Sequence, residues 1–388
     1  MSRHHPLRRG FLRQVAAGSA LLCAGPRLLL AQAATERRFV FVIQRGAADG
    51  LNTVVPYAEP AYARWRGALA IDPAEAIRLD GLFALHPSLV EIGMLYARQQ
   101  ALFVHAVASP YRDRSHFDGQ NVLETGGLAP YQRRDGWLNR LVGLLPRRGA
   151  EAIAIAPTVP LALRGPAEVG SYAPSTLPQA PDDLMQRIQQ LYAGDAQLGA
   201  LWNAAMQMRG MAGETGATPR QTPAELGRLA AGFLVKPAGP RIAMLETSGW
   251  DTHTAQNPRL ASQLRGLDAL VAALRDGLGP VWQQTAVLVA TEFGRTVAAN
   301  GTGGTDHGQA AAAMLLGGAV RGGRVLADWP GLAGAQLYQG RDLMPTRSLD
   351  SLIAAATAEC FGLDAERVGR TLFDAAPAEM PFGGLLRG

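Results

Sequence analysis

Short runs of consecutive apolar residues recur along the chain, and between most of them the apolar positions fall at helical spacing. Arg38-Phe-Val-Phe-Val-Ile43 has no polar alternation, as expected of a strand buried on both faces of a parallel sheet. Ala101–Val107, Ala152–Ile155, Arg241–Glu246, Thr285–Ala290, Ala312–Leu316 and Val325–Ala327 read as further strands. Helical spacing covers Leu89–Gln99, the segment from Ser115 to the Gly126-Gly127 stop, and most of Asp182 to Gly213. It resumes at Thr222-Pro-Ala-Glu225, a capping box with Pro at the first helical position, then over Pro258–Leu278 and from Ser348 through Cys360. Such alternation predicts an α/β fold with one doubly wound sheet, and no repeat of fixed period interrupts it.

Polar residues gather where these strands end. Asp49 closes the turn after the first strand, and Ser115 stands at the N-cap of the helix that follows the second. Asp251 and His253 come after the strand at Arg241, and Glu292 and Arg295 after the strand at Thr285. A Gly-rich loop then leads to Asp306-His307. Open α/β sheets bind ligands at the carboxyl edge of their strands, so all eight are placed to share one site.

The N-terminal residues change the charge balance. Arg8-Arg9-Gly10-Phe11-Leu12-Arg13 is a twin-arginine pattern, followed by an Ala/Leu-rich region from Val15 and a small-residue cleavage site, Ala31-Gln32-Ala33. Residues 1–33 are expected to be a signal read by the Tat export machinery, leaving residues 34–388 periplasmic or secreted. Pro26 and Arg27 break the apolar run, whereas a lasting span needs about 20 uninterrupted apolar residues, so no permanent membrane span is expected. Retention of the leader as an anchor stays open. The leader carries five arginines and no acid, so the remainder has 32 basic and 32 acidic residues and no basic run. That balance argues against nucleic acid as a partner. Cys360 is the one cysteine beyond the leader, which excludes an internal disulfide there.

Of the five histidines beyond the leader, His116, His253 and His307 lie in the polar clusters, while His86 and His105 do not. This distribution favours metal or proton chemistry. Each element also has a plain structural role open to it. Asp49 could cap its turn, Ser115 and Ser348 could be ordinary N-caps, Asp251-Thr-His253 an Asx turn, and Asp306-His307 a solvated pair.

Taken together the motifs carry a resemblance. Arg45-Gly-Ala-Ala-Asp-Gly-Leu-Asn52 with Val55-Pro-Tyr57, Ser115-His-Phe-Asp118 leading to Glu124-Thr-Gly126, Gly249-Trp-Asp-Thr-His253, and Glu292-Phe-Gly-Arg-Thr296 before Asp306-His307 resemble domain-of-unknown-function family 1501. The likeness runs in order from the twin-arginine start to about Leu326. That family is similar in turn to the alkaline phosphatase and sulfatase superfamily.

The resemblance implies an alkaline-phosphatase-like three-layer α/β/α sandwich with a mostly parallel sheet; the helical spacing itself places a helical insertion or cap at about residues 182–235. It implies Asp49, Asp251, His253, Glu292 and His307 as metal ligands and Ser115 as a nucleophile at a helix N-terminus. Arg295 or Arg112 is implied as a clamp on the ester's oxygens. Two departures matter: Phe293 follows Glu292 where the superfamily commonly has His or Asn, and Asp251 and His253 are two apart rather than four. Either one metal position is lost, or His116 and Asp306 supply replacement ligands. One or two ions of zinc, manganese or calcium suit such a mixed donor set.

The expected function is that of an exported metal-dependent hydrolase or transferase. Its substrate would be an anionic phosphate or sulfate ester, opened through a covalent Ser115 intermediate. The competing expectation is a secreted binding or assembly protein that keeps the fold without catalysis. A serine hydrolase of another kind is less expected, because no Gly-x-Ser-x-Gly surrounds Ser115 and the neighbouring His116 cannot readily act as base toward it.

Overall fold

The computed structural model describes residues 36–146, 151–174, 182–213, 221–374 and 382–388, so the expected signal peptide lies outside the described residues. One sheet contains β1 (Arg38–Gln44), β2 (Ala101–Ala108), β3 (Ala152–Ala154), β4 (Gly170–Ser171), β5 (Ile242–Thr247), β6 (Thr285–Thr291), β7 (Ala311–Leu316), β8 (Arg324–Leu326) and β9 (Arg347–Ser348). Across the sheet the order is β8-β2-β7-β6-β1-β5-β3-β4, with β9 also paired to β2. Every pairing is parallel except the two made by β7.

Helices of eight residues or more are α1 (Val90–Ala97), α2 (His116–Thr125), α3 (Trp137–Leu144), α4 (Asp182–Tyr192), α5 (Ala196–Gly213), α6 (Pro223–Leu234), α7 (Gln256–Leu278), α8 (Leu349–Phe361) and α9 (Ala365–Leu372). Alternate residues of β1 divide between two cores. Phe39, Phe41 and Ile43 pack with Trp137, Leu141, Ile353 and Val368 of α3, α8 and α9. Val40 and Val42 pack with Ile92, Phe233, Leu264 and Val271 of α1, α6 and α7. The result is an α/β/α sandwich, and it explains why the strands read as unbroken apolar runs. Fully burying a side chain such as Phe41, edge-on to Trp137 at 5.1 Å, is worth about 1.5–3 kcal/mol.

Within the expected insertion the helices differ. The Thr222 hydroxyl and Glu225 carboxylate cap α6 reciprocally, and α6 buries Leu229 and Phe233 in the sandwich layer. Leu191 of α4 and Leu201 of α5 stay exposed. No helix among the described residues is long and apolar enough to cross a membrane.

Two features were not legible in the pattern. Val54–Val55, Ala84–Leu85 and Ile77–Arg78 form a second small sheet, and strands of two residues carry no periodicity. The reversed direction of β7 is the other. It brings the residues before β7, rather than those after it, to the edge where β1, β2, β5 and β6 end.

Candidate metal centre

Close backbone approach brings these loops together. Gly46, at φ 120°, sits where a Cβ would fall 2.7 Å from the backbone nitrogen of Asp251, so the turn after β1 can only pass there as glycine. In the Gly-rich loop before β7, a Cβ on Gly304 would lie 2.3 Å from the carbonyl of His253. Asn300 strengthens that join by donating to the His253 carbonyl at 2.9 Å and to Asp306 Oδ1 at 3.1 Å.

Three imidazoles and one carboxylate converge there. His253 Nε2 lies 3.0 Å from His307 Nε2 and 3.0 Å from Asp251 Oδ1. His307 Nε2 lies 3.4 Å from Asp251 Oδ1, and His116 Nε2 lies 3.5 Å from Asp251 Oδ2. Donor atoms of His116, Asp251 and His307 all fall within 4.8 Å of one another, a grouping able to hold a metal ion. Donors about 2.0–2.1 Å from one tetrahedral ion stand roughly 3.3–3.4 Å apart, close to the 3.4 Å from His307 and the 3.5 Å from His116 to the Asp251 carboxylate, while His253 lies outside this three-residue grouping.

The tautomers follow from the partners on the other side of each ring. His116 Nδ1 lies 2.8 Å from Glu292 Oε1, His253 Nδ1 3.0 Å from Asp306 Oδ1, and His307 Nδ1 2.9 Å from the Arg114 carbonyl. Carboxylates and carbonyls only accept, so each Nδ1 carries a hydrogen, which leaves Nε2 as the nitrogen with which a neutral ring binds a metal. Histidine ligands of metals are held in this way. His116 Nε2 is buried and has no hydrogen-bond partner, and Nε2 of His253 and Nε2 of His307 face each other at 3.0 Å. A cation shared by His116, Asp251 and His307 would satisfy the first of these nitrogens.

Charge around the cluster is graded. Burial pushes the pKa of Glu292 up, but hydrogen bonds from His116, Gln120 and the Gly46 N–H outweigh it and hold the carboxylate ionised. The same bond to Glu292 raises the pKa of His116 against its burial. Burial lowers that of His307, and neighbouring His116 and Arg295 lower it further. Asp251 is held below its usual range because the Arg295 contact overcomes its partial burial.

The other expected residues lie differently. Asp49 is 1% exposed, and its carboxylate is gripped by the buried guanidinium of Arg66, by Gln256 Nε2 at 2.6 Å and by the N–H groups of Leu51 and Asn52. It is joined to the cluster indirectly. Gln256 Oε1 accepts from Thr305 Oγ1 at 2.6 Å, and Thr305 in turn receives Arg295. Arg295 is buried, with Nη1 on Asp251 Oδ1 at 2.7 Å and its other nitrogens on Thr305. Arg112 is turned to the carbonyls of Ser109 and Tyr111.

Ser115 caps α2 with its backbone at φ −92°, ψ 126°, yet its side chain makes no capping bond. Its N–H donates to the Tyr111 hydroxyl at 3.0 Å. The histidines outside the cluster are core residues. His105 is fully buried, accepts from the Ala106 N–H and faces the Val54 carbonyl, and burial pushes its pKa down to about 4. Sequence reading missed Arg66, Gln256, Gln120 and the Arg114 carbonyl. Gln256 opens the amphipathic α7, and that position is the single signal available beforehand.

The family of proteins of unknown function DUF1501 matches residues 100–372. The chain belongs to that family. No curated protein matches this DUF1501 chain in sequence. In structure it is similar to the C-terminal periplasmic domain of EcEptC from Escherichia coli in complex with Zn, at 11% identity and a TM-score of 0.42 over 92% of this chain and 93% of that one. It is also similar to a putative sulfatase from Bacteroides thetaiotaomicron, at 9% identity and 0.37, covering 89% of this chain and 73% of that one. A phosphonate monoester hydrolase of Agrobacterium radiobacter is similar at 12% identity and 0.33, covering 84% and 74%.

Proposed function

We propose that the chain is a hydrolase or transferase of phosphate or sulfate esters that depends on one divalent ion. The observation that carries this reading is the grouping of His116, Asp251 and His307 donor atoms, with His253 Nε2 3.0 Å from Asp251 and His307 and each imidazole held from behind by an acceptor. His116, Asp251, His253 and His307 would hold the ion, with Glu292 and Asp306 orienting two of the rings. Three imidazoles favour zinc over manganese and disfavour calcium, which takes oxygen ligands. A second ion at Asp49 is opposed by Arg66, which already neutralises that carboxylate.

When bound, such an ion supplies Lewis-acid polarisation of an ester oxygen. The chain supplies the rest. Ser115 stands at the N-terminus of α2, where free N–H groups and the helix dipole favour an anionic ester, and its hydroxyl is not spent on a cap. Attack by Ser115 Oγ on phosphorus or sulfur forms the O–P or O–S bond and releases the alcohol. Water or an acceptor alcohol then breaks that bond and regenerates the serine. Arg295 acts through Asp251 rather than on the ester, since its nitrogens are taken. Tat export to the periplasm fits this reading and is tested by localising the full-length chain against an Arg8→Lys/Arg9→Lys variant.

The test is elemental analysis of the signal-free protein purified without chelator, followed by a screen of phosphate and sulfate esters with Ser115→Ala as control. About one equivalent of metal and Ser115-dependent turnover support the reading. A protein that stays metal-free after addition of zinc and manganese overturns it in favour of a binding module.

A further inference from the structure

We propose that a cavity at the end of β5, on the segment that leads to Asp251, is a subsite for a neutral, hydroxyl-bearing group of glycosyl size, the part of the substrate that does not react. The cavity measures about 510 Å³, within the range of ligand pockets, and lies where the end of β5 meets α6 and α7.

Its chemistry selects the class of ligand. Arg45 is the cation on its wall, and that charge is already matched by Glu246 at 2.6 Å and Glu124 at 2.8 Å. An anionic group entering here would meet the Glu246 carboxylate on the wall and an Arg45 charge already matched. The amides of Gln221 and Gln263 and the hydroxyl of Ser248 offer both donors and acceptors, while Leu226 and Leu267 provide an apolar wall. A pyranose ring has this double character, with hydroxyls at its edge and C–H groups on its faces.

Two connections tie the cavity to the cluster. Thr247 and Ser248 line it, and Asp251 follows Ser248 by three residues, so their Cα atoms are at most about 11 Å apart. Arg45 Nη1 also donates to Gln120 Oε1 at 2.9 Å, and Gln120 Nε2 donates to Glu292 Oε1 at 3.1 Å, the carboxylate that orients His116. A group held in the cavity therefore touches the hydrogen-bond chain that sets one side of the candidate centre.

The role of this group in a reaction rests on the ester-hydrolase reading; occupancy of the cavity does not. Saturation-transfer NMR and calorimetry on the metal-loaded, signal-free protein measure binding of methyl glucoside and cellobiose, with glucosamine and glucuronate as cationic and anionic probes. Ser248→Trp, at an exposed position, is the blocking variant, and its melting curve and metal content are expected to match the parent. The expected result is binding of the neutral glycosides, weakened about tenfold or more by Ser248→Trp, and no binding of glucuronate.

Equal binding by parent and Ser248→Trp, preference for glucosamine or glucuronate, or no glycoside binding at all overturns the proposal. Neutral binding lost in Ser248→Trp, with no sugar ester turned over, leaves the subsite standing and removes the hydrolase reading. Turnover of small aryl esters with KM unaltered in Ser248→Trp, and no glycoside binding, does the reverse.

Discussion

Asp49 and Asp251 follow neighbouring parallel strands and stand at the same edge of the sheet, yet they have opposite surroundings. The Asp49 side chain is 1% exposed and is enclosed by a guanidinium, an amide and two backbone N–H groups. The Asp251 side chain is 43% exposed and ringed by three imidazoles, with Arg295 behind it. Each carboxylate meets a buried guanidinium, Arg66 at Asp49 and Arg295 at Asp251, but only Asp251 also opens to solvent and to imidazole nitrogens. Strand-end position is thus insufficient to make a ligand, and what separates the two is whether the carboxylate's remaining lone pairs are used up inside the protein, as at Asp49, or left open beside imidazoles, as at Asp251.

The largest effect tests the closed member of this pair. Arg66→Met leaves the Asp49 charge buried without its partner and is expected to cost about 3–5 kcal/mol in urea unfolding. Asp49→Asn strands Arg66 in the same way, while metal content of the folded protein stays near the parent value. Loss of metal in Asp49→Asn without loss of stability would reverse the comparison.

Next comes the open member. His307→Ala and Asp251→Asn each remove a direct donor and are expected to weaken metal binding by about 100-fold or more, roughly 2.8 kcal/mol. Unfolding of metal-free His307→Ala should change little, since its side chain is partly exposed, whereas Asp251→Asn leaves the buried Arg295 guanidinium without its carboxylate and is expected to be destabilised. Competition with a chromophoric chelator reads the affinity. Unchanged affinity in both variants would end the ligand assignment.

Glu292→Gln probes the layer behind the ligands. It keeps an acceptor for the Gly46 N–H but loses the charge that holds His116, and a 10–100-fold loss of metal affinity is expected. Asp306→Asn, at a side chain 54% exposed, should lose less than Glu292→Gln because water screens it. An equal loss in the two variants would mean that burial of the orienting carboxylate is immaterial.

This gradient also explains what the sequence made legible. Strands buried on both faces leave unbroken apolar runs, so β1, β2, β5 and β6 and the residues after them could be placed. His116, His253 and His307 stood out because few histidines remain beyond the leader. The roles of Arg66, Arg112 and Arg295 could not be read, because a long side chain reaches partners fixed by packing between distant segments. Arg66 meets Asp49 across 17 positions and Arg295 meets Asp251 across 44. Nor does any local pattern announce that β7 runs backwards, which is what delivers His307 from before its strand.

The smallest expected change in stability separates two serines that look alike in sequence and in backbone. Ser115 caps α2 at φ −92°, ψ 126°, and Ser348 caps α8 at φ −87°, ψ 127°. The Ser348 hydroxyl accepts from the Ser351 N–H at 3.2 Å, whereas the Ser115 hydroxyl makes no such bond. Ser348→Ala should therefore cost about 1 kcal/mol in unfolding and leave turnover intact, the ordinary effect of losing a cap. Ser115→Ala should stay within about 0.5 kcal/mol of the parent and keep its metal, while ester turnover disappears. If Ser115→Ala costs as much stability as Ser348→Ala and turnover survives, Ser115 is a cap that tightens in solution, and the nucleophile lies elsewhere.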